Sequence, residues 1–389
     1  MNAQTSHPAP MALTAPKARA TAPTAHLNTA GTGRMPAAVH AVLADCTARD
    51  DRFGPYVLEE SLGPVLDTGI HERLGALLGV PARHTVLFTG AADGFDSFAS
   101  RLPLGPRDRI WTTPHEGVAR LATLVALRDR TRCTLEVVPL REDGDLDLDW
   151  MRDHLDEDVA LVSVVHVSEA CGTVNPVEAV GALLAGHRAL YAVDASHSVG
   201  QLPVDAARIG CALLTADGWR FLRGPDGIGF GYVDPGLGES LARPPVAAAV
   251  AALYEALARH DADTSGPYES LLPRLRAAVG RLPGIRLLAP GRQQAGIVGF
   301  RHDEVPAALI RRGLARRGVV VRKAVAQETP LHPASAGGDT AVGASVHYDN
   351  TPADIDRFAL ALRDVLREER PAAGRAAAPA ARALAAVAP

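Results

Sequence analysis

Between residues 85 and 233, short apolar runs alternate with stretches of helical periodicity. The runs TVLFTG (85–90), RIWTT (109–113), TLEVVPL (134–140), ALVSVVHVS (160–168), ALYAVDAS (189–196), ALLTADG (212–218) and GIGFGYV (227–233) have strand length. Several are apolar at successive positions, the pattern of strands covered by helices on both faces. Seven such strands with helical crossovers predict a large α/β domain over about 27–240. Some helix starts are legible: in NPVEAVGALLAG, Asn175 stands as N-cap, Pro176 at the first helical position and Glu178 as capping-box partner. After residue 240 the rhythm changes. Residues 244–283 read as mostly helical with an interruption at DTSGP, then IRLLAP and GIVGF read as strands, and PAALIRRGLARRG is a helix leading into VVVRK. In the last helix Thr351 is the N-cap, Pro352 the first residue and Asp354 the capping partner, with an apolar face of Ile355, Phe358, Ala359, Leu362, Val365 and Leu366. This predicts a smaller α+β domain over 241–368.

Composition narrows the setting. The 389 residues are 47% hydrophobic and 22% charged, an ordinary globular balance with room for two domains. A net charge of −4 gives no reason to expect nucleic acid or an anionic membrane as partner, and no apolar run approaches the ~18 residues of a membrane span. The Ala/Pro-rich ends, 1–26 and 369–389, are expected to be disordered, and the first carries no apolar segment of signal-peptide type. Cys46, Cys133, Cys171 and Cys211 lack metal-like spacing and suit a reducing, cytoplasmic setting. Arg is abundant but Lys occurs only at 17 and 323, a bias that fits a high-GC genome.

Three segments, VSVVHVSEACGTVNPVEAVG, YAVDASHSVGQLPVD and FLRGPDGIGFGYV, are jointly specific. From LNTAGTGRMPAAV (27–39) to VHYDNTPADID (346–356) the chain resembles class V aminotransferases of PLP fold type I. That superfamily includes cysteine desulfurases, isopenicillin-epimerase-like proteins and the C–S lyase of ergothioneine synthesis, and GPYVLEESLGPVLDTGIHERLGALLGV is most similar to the last of these. The resemblance implies a seven-stranded, mostly parallel sheet. It also implies a role for Asp194 at the pyridine nitrogen and for His166 stacked on the cofactor ring. Other family positions differ. The Schiff-base lysine aligns with Arg220, whose guanidinium has a pKa above about 12 and cannot serve as an amine nucleophile. The Gln at the ring hydroxyl aligns with His197. The phosphate-cradling G-A-T aligns with Gly90, Ala91 and Ala92, followed by an anionic Asp93. The Arg for a substrate carboxylate is missing from the run Val342-Gly343-Ala344-Ser345, and no partner-reaching G-T turn appears in DPGLGESLARPPVAAAV.

These differences predict a pocket that does not hold PLP covalently and does not need it. The expected activity is lyase- or isomerase-type proton transfer on a small, amino-acid-derived metabolite of specialised metabolism. His166, Asp194 and His197 would catalyse, and Arg220 would be a fixed cation. With PLP retained, Gly90, Ala91, Ala92, His166, Asp194 and His197 are the cofactor contacts. Asn28, Trp219, Lys323 and Ser345 are candidate substrate contacts, and no metal site is expected. Blander roles stand beside these: Arg220 pairing with Asp194, Trp219 filling vacant ring volume, each His a hydrogen-bonded core residue, Cys171 a small buried apolar group rather than a nucleophile. Lys323 is a candidate for a relocated Schiff-base lysine. Two other functions are open: an enzyme with non-covalent PLP or pyridoxamine phosphate, as in sugar dehydratases of this fold type that carry His for Lys, and a non-catalytic subunit. A homodimer is expected, or for the last reading a heterodimer with an intact homologue.

Overall fold

The computed structural model describes residues 24–237, 245–263, 268–288, 291–324, 326–333 and 341–369. Both tails expected to be disordered lie outside these apart from residues 24–26 and 369, as do residues 238–244 of the shortened segment and 264–267 of the DTSGP interruption.

A short strand, β1 (Ala25–Leu27), precedes the seven apolar runs, which form β2 (Thr85–Phe88), β3 (Arg109–Thr112), β4 (Thr134–Val137), β5 (Val159–Val165), β6 (Leu190–Asp194), β7 (Leu213–Asp217) and β8 (Gly229–Val233). They make one sheet in the order β2-β8-β7-β6-β5-β3-β4. β4, β3, β5, β6 and β7 are mutually parallel, and β8 runs antiparallel to both β7 and β2. The reversal has a simple cause: no helix lies between β7 and β8, so the chain has no crossover element to return it parallel. All seven residues of β5 are buried. Neighbouring residues divide between the two faces, Trp111, Val162, Val193 and Leu214 to one core and Ile110, Leu161, Ala192 and Leu213 to the other. The first core is closed by helices Ile70–Leu78 and Ala247–Asp263, the second by helices Ala91–Ala99 and Val118–Thr131. Thus the helix that begins after residue 240 still packs on the large sheet.

The second sheet has the order β1-β11-β12-β10-β9, with β9 (Ile285–Leu287), β10 (Ile297–His302), β11 (Val319–Ala324) and β12 (Ala341–Ser345). β1 pairs parallel with β11, so the start of the described chain joins the C-terminal sheet. The final helix, Pro352–Glu369, opens with the expected capping box: Thr351 donates from N–H and hydroxyl to Asp354 Oδ2 at 2.8 and 3.0 Å, and Asp354 N–H donates to Thr351 Oγ1 at 3.3 Å. Its buried face has Ala361 where Ala359 was expected. At helix Val177–Leu184 the expected cap is absent. Asn175 turns its amide to the Val165 carbonyl at 2.6 Å and to His115 Nδ1 at 3.1 Å, bonds across the sheet edge that displace local capping.

The two sheets meet in a tight seam. A Cβ on Gly172 would lie 2.2 Å from the Ile297 carbonyl oxygen, and one on Gly299 would lie 2.1 Å from that of Ala170. Gly172 has φ +83°, and its carbonyl accepts the Ala295 N–H at 2.8 Å. Glycine is required here on both counts. No helix among the described residues is long and apolar enough to cross a membrane.

Candidate active site

A cavity of about 540 Å³ opens at the C-terminal ends of the parallel strands, where open α/β sheets collect their ligands. Thr89 and Gly90 follow β2, His115 and Gly117 follow β3, Asp194, Ser196 and His197 close β6, and Asp217, Trp219 and Arg220 close β7. Arg322 of β11 and Glu328 reach in from the second sheet.

The expected pair between Arg220 and Asp194 is corrected by the geometry. Arg220 Nε donates to Asp217 Oδ2 at 3.0 Å, and its Nη1 donates to the Ala30 carbonyl at 2.7 Å. Asp217 lies only three residues back along the same strand-to-turn segment, so it reaches the guanidinium first. Asp217 also accepts the Ala91 N–H at 3.0 Å, capping helix Ala91–Ala99 from across the sheet. Burial pushes this carboxyl up, and the Arg220 charge opposes that. Asp93 is turned back onto Thr89, accepting from its hydroxyl at 2.9 Å. Asp194 faces the cavity and accepts the Ser196 N–H at 2.8 Å, and the buried Ser196 Oγ has no hydrogen-bond partner among the described residues.

His197 and Asp194 share the cavity wall, but His166 is not among the lining residues. Its backbone is tied on both sides, N–H to the Asp194 carbonyl at 2.9 Å and carbonyl from the Asn175 N–H at 2.8 Å. Burial lowers its pKa to about 4. Burial also holds His197 far below the usual histidine range, with Arg220 and Arg322 adding to the effect; its Nε2 lies 3.1 Å from the Ala30 carbonyl. Neither imidazole is charged at neutral pH.

Of the four candidate substrate contacts, only Trp219 lines the cavity. Lys323 follows Arg322 on β11, and successive strand side chains point to opposite faces, so turning Arg322 toward the cavity turns Lys323 away. Ser345 accepts the Ala30 N–H at 2.9 Å, and Asn28 pairs with Ser345 as an isolated bridge, so both brace the 28–31 turn from behind.

Several cavity residues have no counterpart among the sequence expectations: His115, Arg120, Glu169, Arg322 and Glu328. His115 could have been found, since it closely follows a predicted parallel strand at its ligand-binding end. Arg322 donates to Glu169 at 2.9 Å and sits 2.8 Å from Glu328, while its Nη1 is buried without a hydrogen-bond partner among the described residues. Cys171 is buried against the Ser168 and Thr173 hydroxyls, both at 3.3 Å, and His332 Nε2 at 3.6 Å. Burial pushes this thiol up, but those contacts more than offset it and its pKa is lowered. His115, Cys171 and His332 offer ligand atoms within 4.8 Å of one another. Asn175 Nδ2 lies 3.1 Å from His115 Nδ1, so that ring nitrogen already has a hydrogen-bond partner within the protein.

Comparisons with known proteins now bear on this geometry. The family profile described as Aminotransferase class-V matches residues 68–254. A probable cysteine desulfurase of Halobacterium salinarum is 31% identical over 214 residues, 53% of this chain and 51% of that protein. The cysteine desulfurase of Haloferax volcanii is 28% identical over 344 residues, 77% of this chain and 78% of that one. Family profile and relatives alike support a likeness to the class V aminotransferase and cysteine desulfurase superfamily. The chain spans about half the length of the first curated relatives it matches. The fold is shared with the cysteine desulfurase CsdA of Escherichia coli, at a TM-score of 0.78 and 19% identity over 89% of this chain and 95% of that one. A C-DES mutant with glycine covalently linked to its PLP cofactor matches at a TM-score of 0.76 and 19% identity, covering 88% and 96%.

These matches overturn the expectation of a pocket without PLP. The residues present also fit the group. Asp194 offers a carboxylate for a pyridine nitrogen, and among the described residues Ser196 Oγ is an unpartnered buried hydroxyl and Arg120 Nη1 and Arg322 Nη1 are unpartnered buried donors for an anionic end. The volume lies within the ~300–1,000 Å³ of small-ligand pockets. An amine is what the lining lacks: no lysine is among these residues.

Proposed function

We propose that this protein binds PLP or pyridoxamine phosphate through non-covalent contacts alone and acts as a lyase or isomerase on a small amino-acid-derived metabolite. The observation that carries the reading is Arg220, fixed between Asp217 and the Ala30 carbonyl in a cavity with no lysine among the described residues of its wall. A guanidinium keeps its proton at any physiological pH, so it orients an anionic group and does not bond to an aldehyde carbon.

In this reading Asp194 holds the proton on the ring nitrogen, and Ser196 supplies a hydroxyl beside it. When bound, the cofactor supplies an electron sink that loosens bonds at the attached carbon. His197, neutral and anchored on Ala30, shapes the wall next to Arg220 and does not carry charge. Trp219 covers the Gly90 side, where a Cβ on that glycine would lie 3.6 Å from its ring. Arg322 and Glu169 form an ion pair at 2.9 Å on the same cavity wall.

The test is an absorbance titration of the pure protein with PLP and pyridoxamine phosphate, then borohydride reduction and intact-mass measurement. The expected result is a saturable spectral change and no pyridoxyl mass on the polypeptide. Absence of saturable binding, or a pyridoxyl adduct on any side chain, refutes the proposal.

A further inference from the structure

Two helices begin at the cavity, and they differ in what already meets their first turns. At helix Ala91–Ala99 the Ala91 N–H is taken by Asp217, and Asp93 stands in the first turn. That end is matched by carboxylates. Helix Val118–Thr131, of 14 residues, presents Gly117, Val118, Ala119 and Arg120 to the same cavity, with no acidic residue in its first turn and no side-chain cap. Its first backbone bond runs from the Leu121 N–H to the Gly117 carbonyl at 2.9 Å, so the preceding N–H groups have no partner within the helix.

Arg120 adds a full charge at the same place. It is 3% exposed, with its guanidinium 4.0 Å from the Phe95 ring centre. Nη2 donates to Thr215 Oγ1 at 2.9 Å, whereas Nη1 is buried with no hydrogen-bond partner among the described residues. Glu116 does not supply one: its Oε2 accepts the Thr112 and Ser163 hydroxyls at 2.9 and 3.1 Å, and burial pushes its pKa to about 7, with Arg120 opposing. A buried guanidinium with an unmet N–H is costly unless a ligand completes it. The helix start favours the same sign of ligand.

We infer that Arg120 and the first turn of helix Val118–Thr131 form the anion site of this cavity, receiving a phosphate or carboxylate oxygen of the ligand. Naming that ligand as cofactor phosphate or substrate carboxylate rests on the proposed function; the anion chemistry of the site does not.

The test uses the full chain, with binding read by tryptophan fluorescence and thermal shift. The probes are PLP, pyridoxal, inorganic phosphate and succinate. Arg120→Gln should weaken anionic probes roughly tenfold to hundredfold, the worth of one charge-assisted hydrogen bond. Ala119→Glu, at an exposed first-turn position, places a carboxylate at the helix start and should weaken the same probes without touching the core, which covers a failure of Arg120→Gln to fold. Loss of PLP and phosphate binding with pyridoxal unchanged assigns the site to the cofactor phosphate. Loss of succinate alone assigns it to a substrate carboxylate. The inference is overturned if the folded variants bind every anionic probe as wild type does, or if wild type responds to none. Arg120-dependent binding of phosphate or succinate without any saturable PLP signal would leave the anion site standing and remove the proposed function.

Discussion

Glu116→Gln isolates the energetic consequence of the most deeply buried carboxyl near the cavity. Glu116 is fully buried between β3 and β5, and burial raises its pKa from 4.5 to about 7. The unfolded chain gives up this proton near 4.5 while the folded protein keeps it to about 7. Its contribution is therefore present in full below pH 4.5 and lost as pH rises toward 7. At 1.36 kcal/mol per pH unit the gap corresponds to about 3 kcal/mol. The wild-type profile alone would mislead, because burial lowers His115 and His166 from 6.5 to about 4, and their contributions are lost in the opposite direction, as pH falls through the same window. The difference between wild type and Glu116→Gln removes those histidines. Gln keeps an oxygen for the Thr112 and Ser163 hydroxyls. Urea unfolding of both proteins from pH 4.5 to 8 should show the variant gaining stability relative to wild type as pH rises, by about 1–3 kcal/mol at pH 8. A difference that is flat across this range would refute the reasoning.

Arg220→Ala should cost about 3–5 kcal/mol in urea unfolding, because it strands Asp217, whose side chain is 8% exposed; adding Asp217→Asn should recover part of that, and a single-variant cost below about 1 kcal/mol would count against the pair. Thr351→Ala should cost about 1 kcal/mol through its capping box, measurable in the same assay and absent if the last helix does not depend on this cap. Gly299→Ala should destabilise by about 1–3 kcal/mol or more, since the new carbon meets the Ala170 carbonyl oxygen at 2.1 Å, and an unchanged thermal midpoint would mean the seam yields.

The large sheet was legible because its strands are buried on both faces and so read as unbroken apolar runs; β5 is the clearest case. β1 was not, because three residues give no periodicity and its partner, β11, lies almost 300 residues away in sequence. The cavity wall was legible where a strand end forms it, as at Asp194, His197 and Arg220. It failed where partner choice depends on three-dimensional reach. Asp194 and Asp217 are both carboxylates at strand ends, and only the folded backbone decides which one meets Arg220. Asn175 has N-cap chemistry, yet cross-sheet bonds claim its side chain. Lys323 was singled out as a rare residue type, but strand alternation gives the cavity to Arg322.

The close glycine contacts between the sheets fix how the molecule can breathe. With carbonyl oxygens pressed against Cα on both sides at Gly172 and Gly299, the halves have no freedom to slide there. A swing about that junction that widened the mouth would carry Arg322 and Glu328 away from Asp194, and would also strain the Ala30–Ser345 bond through which Arg220 and His197 are tied to the second sheet. The clasp of Arg322 on Glu169 is then the latch that such a swing undoes.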